Sequence, residues 1–199
     1  VTFQDEKTAK ADTNWSDKTC ESTQWYTPEE ILAPTRALFG GRIPLDPATR
    51  ADNPIGALRF FTPIQDGLRQ SWEGDGFFIN PPYGKNFKVW TKKIRVEVEK
   101  GTKGIGLLPC GARFSTRYWQ RDILNDQLTA ICFVKGRVPF LRPDGTKATQ
   151  NNYDSAIYGW NIDPDWFGAV YGIVGSCFAM RKVSCVEDQV EDREASLEA

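Results

Sequence analysis

Apolar residues fall along the chain in short blocks separated by proline, glycine and charged clusters, and the spacing inside each block names an element. Thr27-Pro28-Glu29-Glu30 has the form of a helix start, with Thr27 as cap, Pro28 in the first helical position and Glu30 three residues after the cap. Ile31, Leu32, Ala37, Leu38 and Phe39 supply its apolar face, Gly40-Gly41 ends it, and Pro34 is expected to kink or split it. Arg42 to Leu45 reads as a short strand ending at Asp46-Pro47-Ala48. Asn53-Pro54 is expected to cap a short helix carrying Leu58, Phe60 and Phe61, closed by Thr62-Pro63, and Asp66-Gly67 to turn the chain before Trp72. Phe77 to Ile79 is a strand, while Phe87, Trp90, Ile94 and Val98 recur at helical spacing up to Gly101.

Further on, Gly104 to Leu108 reads as a buried strand, Ser115 to Leu124 as a helix, and Thr129 to Val134 and Ser155 to Trp160 as strands. Val170 to Phe178 reads as the last strand. Strands alternating with helices predict an α/β fold with a mostly parallel sheet and helices on both faces. Residues 1–24 are polar, with Phe3 and Trp15 as anchors, and read as a loosely attached arm. The domain is expected over 25–182 and an acidic tail over 183–199. There is no internal repeat.

The block Phe77-Phe78-Ile79 stops in Asn80-Pro81-Pro82-Tyr83-Gly84. Two prolines forbid both ladder pairing and helix, because they lack amide hydrogens and push each preceding residue towards extended geometry. The expected product is a rigid loop at the carboxyl end of a strand, the edge where open α/β sheets bind ligands. There the Asn80 side-chain oxygen and the Pro81 carbonyl can each accept one hydrogen from an exocyclic amine, while Tyr83 stacks on the ring that bears it. Drawing on both hydrogens localises the nitrogen lone pair and makes the amine a nucleophile. A proline-stiffened turn that merely caps a strand is the bland alternative.

Asn80-Pro81-Pro82-Tyr83 resembles the catalytic motif of amino-group methyltransferases that use S-adenosylmethionine, above all the N-6-adenine DNA enzymes. The wider order is similar to the small phage-type DNA N-6-adenine methyltransferases: Trp25-Tyr26-Thr27-Pro28, Leu45-Asp46-Pro47-Ala48, Asp66-Gly67-Leu68 with Trp72, the proline loop, then Gly136-Arg137-Val138-Pro139-Phe140 with Asn152 and Ser155. The resemblance covers about residues 25 to 162. It implies a Rossmann-like class I methyltransferase fold, S-adenosylmethionine as cofactor, and methylation of the exocyclic amine of adenine in DNA. It also implies that Asn80, Pro81, Pro82 and Tyr83 are catalytic, that Asp46, Pro47 and Ala48 hold the methionine end of the cofactor with Thr27 against it, and that Asp66 reads the cofactor's adenine amine. Most such enzymes carry a glycine-rich loop after the first strand; here Pro47-Ala48-Thr49-Arg50-Ala51-Asp52 follows, with no glycine before Gly56. Alternatives within reach of the motif are N-4-cytosine or protein-glutamine methylation, and a catalytically inactive nucleic-acid-binding relative.

Charge and cysteines refine this picture. The formal net charge is −1, but 186–199 holds six acids and one arginine, which leaves the remaining chain at about +4. Arg137, at an expected strand end near the catalytic edge, and Arg113 and Arg117, around an expected helix start, are the candidate DNA contacts. Lysines around Trp90 read as a solvated helix face, and Trp119 and Trp160 as core. Five cysteines without metal spacing read as reduced thiols, no metal is expected, and the absence of histidine excludes Ser-His-Asp and Cys-His catalysis. No apolar run approaches the roughly 18 residues of a membrane span, and no signal segment opens the chain, so an intracellular, cytoplasmic setting with access to DNA is expected.

Overall fold

The computed structural model describes residues 25–183 apart from 85, 112, 113, 143 and 149–153. The expected arm at 1–24, the tail from 184 onward, Arg113 and Asn152 lie outside the described residues. The helices are α1 (Glu29–Leu38), α2 (Phe87–Glu99), α3 (Arg117–Asp122) and α4 (Pro164–Tyr171). The strands are β1 (Leu45–Asp46), β2 (Arg59–Phe60), β3 (Phe77–Ile79), β4 (Gly104–Pro109), β5 (Leu128–Val134), β6 (Ser155–Trp160) and β7 (Gly175–Ala179).

Five strands form one sheet in the order β3-β4-β6-β5-β7, and β1 and β2 pair in parallel beside it, with β1 packed on β3. The mostly parallel sheet expected from the alternation is corrected: β3 and β4 are parallel, whereas β4–β6, β6–β5 and β5–β7 are antiparallel. The cause is the connection from β5 to β6, which carries Gly136, Pro139 and Gly145 and, among its described residues, no helix, so the chain returns on the same edge and β6 enters reversed between β4 and β5. Because β4 and β5 both oppose β6, they run the same way as β3. The carboxyl ends of β3, β4 and β5 therefore share one edge with the amino ends of β6 and β7.

Helices do lie on both faces. On one, Ile31 and Leu32 of α1 and Phe167 and Tyr171 of α4 pack with Phe78, Leu107 and Ile157; on the other, Trp90 and Ile94 of α2 and Trp119 of α3 pack with Phe77, Ile79 and Tyr158. The strand period of two sends Phe77 and Ile79 to one face and Phe78 to the other, and all three are buried. Gly104 is where β4 must lack a side chain, since a Cβ there would sit 2.4 Å from the Phe77 ring. Trp119 and Trp160 are core, as expected. Three cations of α2 are engaged by the protein itself: Lys93 bonds Glu97 at 2.6 Å, Arg95 bonds buried Asp122 at 3.2 Å, and Lys88 lies over the Tyr118 ring.

Four local expectations need correction. No helix follows Asn53; at φ 44° its amide both donates to and accepts from Ala57, closing a loop that delivers the chain into β2. The Val170–Phe178 run is split between the end of α4 and β7, because Asp163 Oδ1 accepts from Trp166 N at 2.7 Å and Pro164 occupies the first helical position. Helix α1 runs through Pro34 without a break, since a proline this close to the start removes one bond, to the carbonyl of exposed Glu30. Finally, α1 begins one residue later than expected, with Pro28 in the cap position and no side-chain cap bond.

Candidate active site

Asn80 follows the last residue of β3, at the edge where β3, β4 and β5 end. Pro81 is buried and Pro82 and Tyr83 are half-buried, so the loop is anchored while its Asn80 end remains partly open. Tyr83 is turned edge-on to Phe87, with ring centroids 5.7 Å apart, and its hydroxyl donates to the Leu107 carbonyl of β4 at 3.0 Å. Its hydroxyl therefore fixes the ring against the sheet, a role that the sequence reading of Tyr83 as a stacking face did not contain.

Asn80 Nδ2 donates to Thr27 Oγ1 at 3.2 Å. The amide is thereby oriented, and among the described residues Oδ1 receives no donor and is not enclosed. Thr27 is 7 % exposed. Its segment is held from the other side: Tyr26 N donates to Leu141 O at 2.7 Å, Leu141 N donates to Tyr26 O at 3.0 Å, and Trp25 packs on Phe140. Nothing in the local pattern announced this, because Thr27-Pro28 reads as a cap and its partner lies 53 residues away.

Asp46, at the end of β1, is 6 % exposed. Its Oδ1 accepts from Ala48 N at 3.0 Å, and the Thr49 hydroxyl also bonds it. Among the described residues no cation pairs with it, and burial pushes its carboxyl up to about 7 despite those two hydrogen bonds. Asp66 sits on the neighbouring loop after β2, at φ 52°, where its oxygens accept from Leu68 N at 3.2 Å and pair with Arg69 at 3.1 Å. The two loops meet at Gly67, where a Cβ would lie 1.9 Å from the Pro47 carbonyl oxygen, so only glycine allows the approach. The structure thus brings Asp46, Pro47 and Ala48 beside the Asp66 turn, and Thr27 to Asn80.

The candidate DNA contacts are more scattered. Arg137, past the end of β5, is 66 % exposed near the edge where β3, β4 and β5 end, and only loosely paired with exposed Asp154 at 3.9 Å. Arg117 is exposed at the first position of α3. Two further groups at this edge escaped the sequence reading as sites: Tyr158 OH, buried near Tyr83 and Cys110 and raised well above the usual phenol range by that burial, and Ser155 Oγ, both without hydrogen-bond partners among the described residues. Two shallow clefts lie elsewhere, one beside Arg95, Arg121 and Lys182, the other beside Phe39, Lys103 and Trp166. Among the described residues no group of three His, Cys, Asp or Glu side chains converges as a metal site would require.

A family model described as DNA N-6-adenine-methyltransferase (Dam) matches residues 15–164. The chain is also similar to the DNA N-6-adenine-methyltransferase of Haemophilus phage HP1 (strain HP1c1), at 25% identity over 144 residues that span 72% of this chain and 79% of the relative. This chain belongs to the DNA N-6-adenine-methyltransferase (Dam) family, which bears out the resemblance carried by the Asn-Pro-Pro-Tyr loop and the blocks around it.

Proposed function

We propose that this chain methylates the exocyclic amine of adenine in DNA with S-adenosylmethionine, on a class I methyltransferase framework. The single observation that carries the reading beyond family membership is the Asn80 amide: its nitrogen is tied to Thr27, and among the described residues its oxygen, at the end of β3, receives no donor. An unpaired amide oxygen accepts from an amine, whereas an unpaired NH2 would repel one. In support of the framework, β3, β4 and β5 run one way, β6 enters reversed between β4 and β5, the parallel β1–β2 pair flanks β3, and helices cover both faces.

The residues present fit the cofactor. A buried carboxylate with two hydrogen bonds and no cation is a natural partner for an ammonium group, and Asp46 is that group, with the Pro47-Ala48 backbone around it taking the place of a glycine-rich loop. Asp66, brought alongside by the Gly67–Pro47 contact, remains the proposed partner for the cofactor's adenine amine through lone pairs its turn does not use. S-adenosylmethionine, when bound, supplies a methyl group made electrophilic by a sulfonium. Asn80 Oδ1 and the Pro81 carbonyl draw on the two hydrogens of the adenine amine and fix its nitrogen. Tyr83, held by its bond to Leu107, offers the outer face of its ring to the base. Positioning provides most of the acceleration. A base stacked inside a duplex cannot reach this edge, so the adenine is flipped out or already single-stranded. Arg137 and Arg117 are proposed phosphate contacts. The setting is one with access to DNA; among the described residues no helix is long and apolar enough to cross a membrane.

The test is direct. Unmethylated DNA is incubated with the chain and methyl-labelled cofactor, digested to nucleosides, and separated. Label is expected in N6-methyldeoxyadenosine; label in methylcytidine or in protein, or none in either, overturns the proposal.

A further inference from the structure

We infer that Thr27 is a positioning residue for the Asn80 amide, and that the segment from Trp25 to Thr27 is braced for this purpose by the β5–β6 connection. The inference rests on the proposed methyl transfer at Asn80 and deepens it.

An asparagine side chain has a broad, nearly two-fold preference about its last torsion, so an unpartnered amide at the end of a strand can present either its oxygen or its nitrogen. Only one presentation serves an incoming amine. A hydroxyl oxygen placed beside Nδ2 selects that presentation, and Thr27 Oγ1 is there at 3.2 Å. Thr27 is almost fully buried, so water competes little for the same bond. Its hydroxyl is available because α1 starts on Pro28, whose carbonyl takes the amides of Ile31 and Leu32, and no side-chain cap is made.

Holding Asn80 requires that Thr27 itself be held. Reciprocal backbone bonds join Tyr26 to Leu141, the Trp25 ring packs 5.7 Å from Phe140, and the Tyr26 hydroxyl donates to Asp52 at 2.5 Å. Phe140 is buried, and the small hairpin beyond it is closed by Arg142 N donating to Thr146 O and Ala148 N donating to Phe140 O, both at 2.8 Å. The connection that reverses β6 therefore grips the strand of chain carrying Thr27, and Thr27 sets the amide at the end of β3. The bond from Asn80 Nδ2 takes one lone pair of the Thr27 hydroxyl and ties it to the end of β3.

The experiment compares Thr27→Val, which removes the acceptor at nearly constant shape, with Thr27→Ser, which keeps it. Each is made with and without Asn80→Ala in the full chain. Turnover on adenine-containing DNA, KM for DNA and the Kd of S-adenosylmethionine are measured, with folding checked by thermal melting. Thr27→Val is expected to lower kcat by about tenfold to a hundredfold, the scale for a misplaced group, with Kd and KM within about twofold. Thr27→Ser is expected to stay within about threefold of wild type, and Thr27→Val to add nothing on the Asn80→Ala background. If Thr27→Val melts early, Thr27→Ala replaces it in the same cycle. Unchanged kcat, a loss that appears in the cofactor Kd, or full additivity with Asn80→Ala overturns the assignment. Absence of wild-type turnover would sink the methyl-transfer reading itself, and this role with it.

Discussion

Lowering the pH should weaken cofactor binding through Asp46, and the size of the effect follows from its burial. The carboxyl is lifted from its ordinary 3.8 to about 7 because it is enclosed without a cation. A group whose folded pKa is raised contributes stability that is complete below its unfolded pKa and is lost as pH rises through the folded value. The cofactor-free chain therefore loses about 4 kcal/mol on this account between acid and pH 8. An ammonium placed on Asp46 returns that cost by favouring the ionised form, so binding requires a carboxylate that is mostly protonated at pH 5.5 and half ionised at pH 7. Affinity should rise about fifteenfold between those two pH values. Over that window a free α-amino group stays protonated, with its pKa at roughly 7.7 to 8.0, so the slope belongs to the protein. Calorimetric titration of S-adenosylmethionine at pH 5.5, 6, 6.5 and 7 measures it. Asp46→Asn should bind more weakly at pH 7, melt higher than the wild type without cofactor, and show a flat profile. A flat wild-type profile, or the same slope in Asp46→Asn, would refute the pairing of Asp46 with the ammonium.

Asn80→Ala should lower turnover by roughly a hundredfold or more, the scale for losing one preorganised polar contact, with the melting temperature within a few degrees of wild type; a folded variant with wild-type turnover contradicts its catalytic role. Tyr83→Phe should cost roughly 0.5 to 1.5 kcal/mol of stability, since the bond to Leu107 is lost, yet retain most activity, while Tyr83→Ala loses it; equal damage in a methylation assay would move the chemistry from ring to hydroxyl. Arg137→Ala should weaken binding to a short duplex and flatten its dependence on salt by about one phosphate contact, as read from titrations at two salt concentrations; an unchanged salt slope removes Arg137 from the interface.

Elements with a strong local signal were legible in the sequence. Phe77 to Ile79 and Gly104 onward are buried runs bounded by glycine or proline, Ser155 to Trp160 is one bounded by Asp154 and Asn161, and α2 carries Phe87, Trp90, Ile94 and Val98 on one buried face. Asn80 was legible for the same reason, as the first polar residue past a buried strand. What failed were signals with two local meanings. Asn53-Pro54 can cap a helix or close a loop, and the choice fell to Ala57, whose backbone satisfies the Asn53 amide on both sides. The apolar run after Asp163-Pro164 suits a strand, yet Phe167 and Tyr171 lie four residues apart and turn to one face of α4, a spacing that could have been read. Strand direction depends on where a connection returns, which no window of neighbouring residues contains. Thr27 needed a partner in another element, and the free valence of its hydroxyl could not be seen from the cap signal it imitates.

The brevity of β1 and β2 also bears on the rhythm of the protein in solution. That ladder faces over two residue pairs, is extended by bonds from Leu58 to Ile43 and from Thr49 to Phe61, and is wedged by the Gly67–Pro47 contact. By contrast, β4 and β6 face each other over six residue pairs in the middle of the sheet. Sub-global opening should therefore begin in the half that carries Asp46 and spare the sheet, so that the amides of Arg59 and Phe61 exchange with deuterium well before those of Ile105 or Ile157. A ligand bridging Asp46 and the Asp66 turn would stitch that half shut, and slowed exchange confined to residues 44–68 would mark its arrival even on a chain that never turns over.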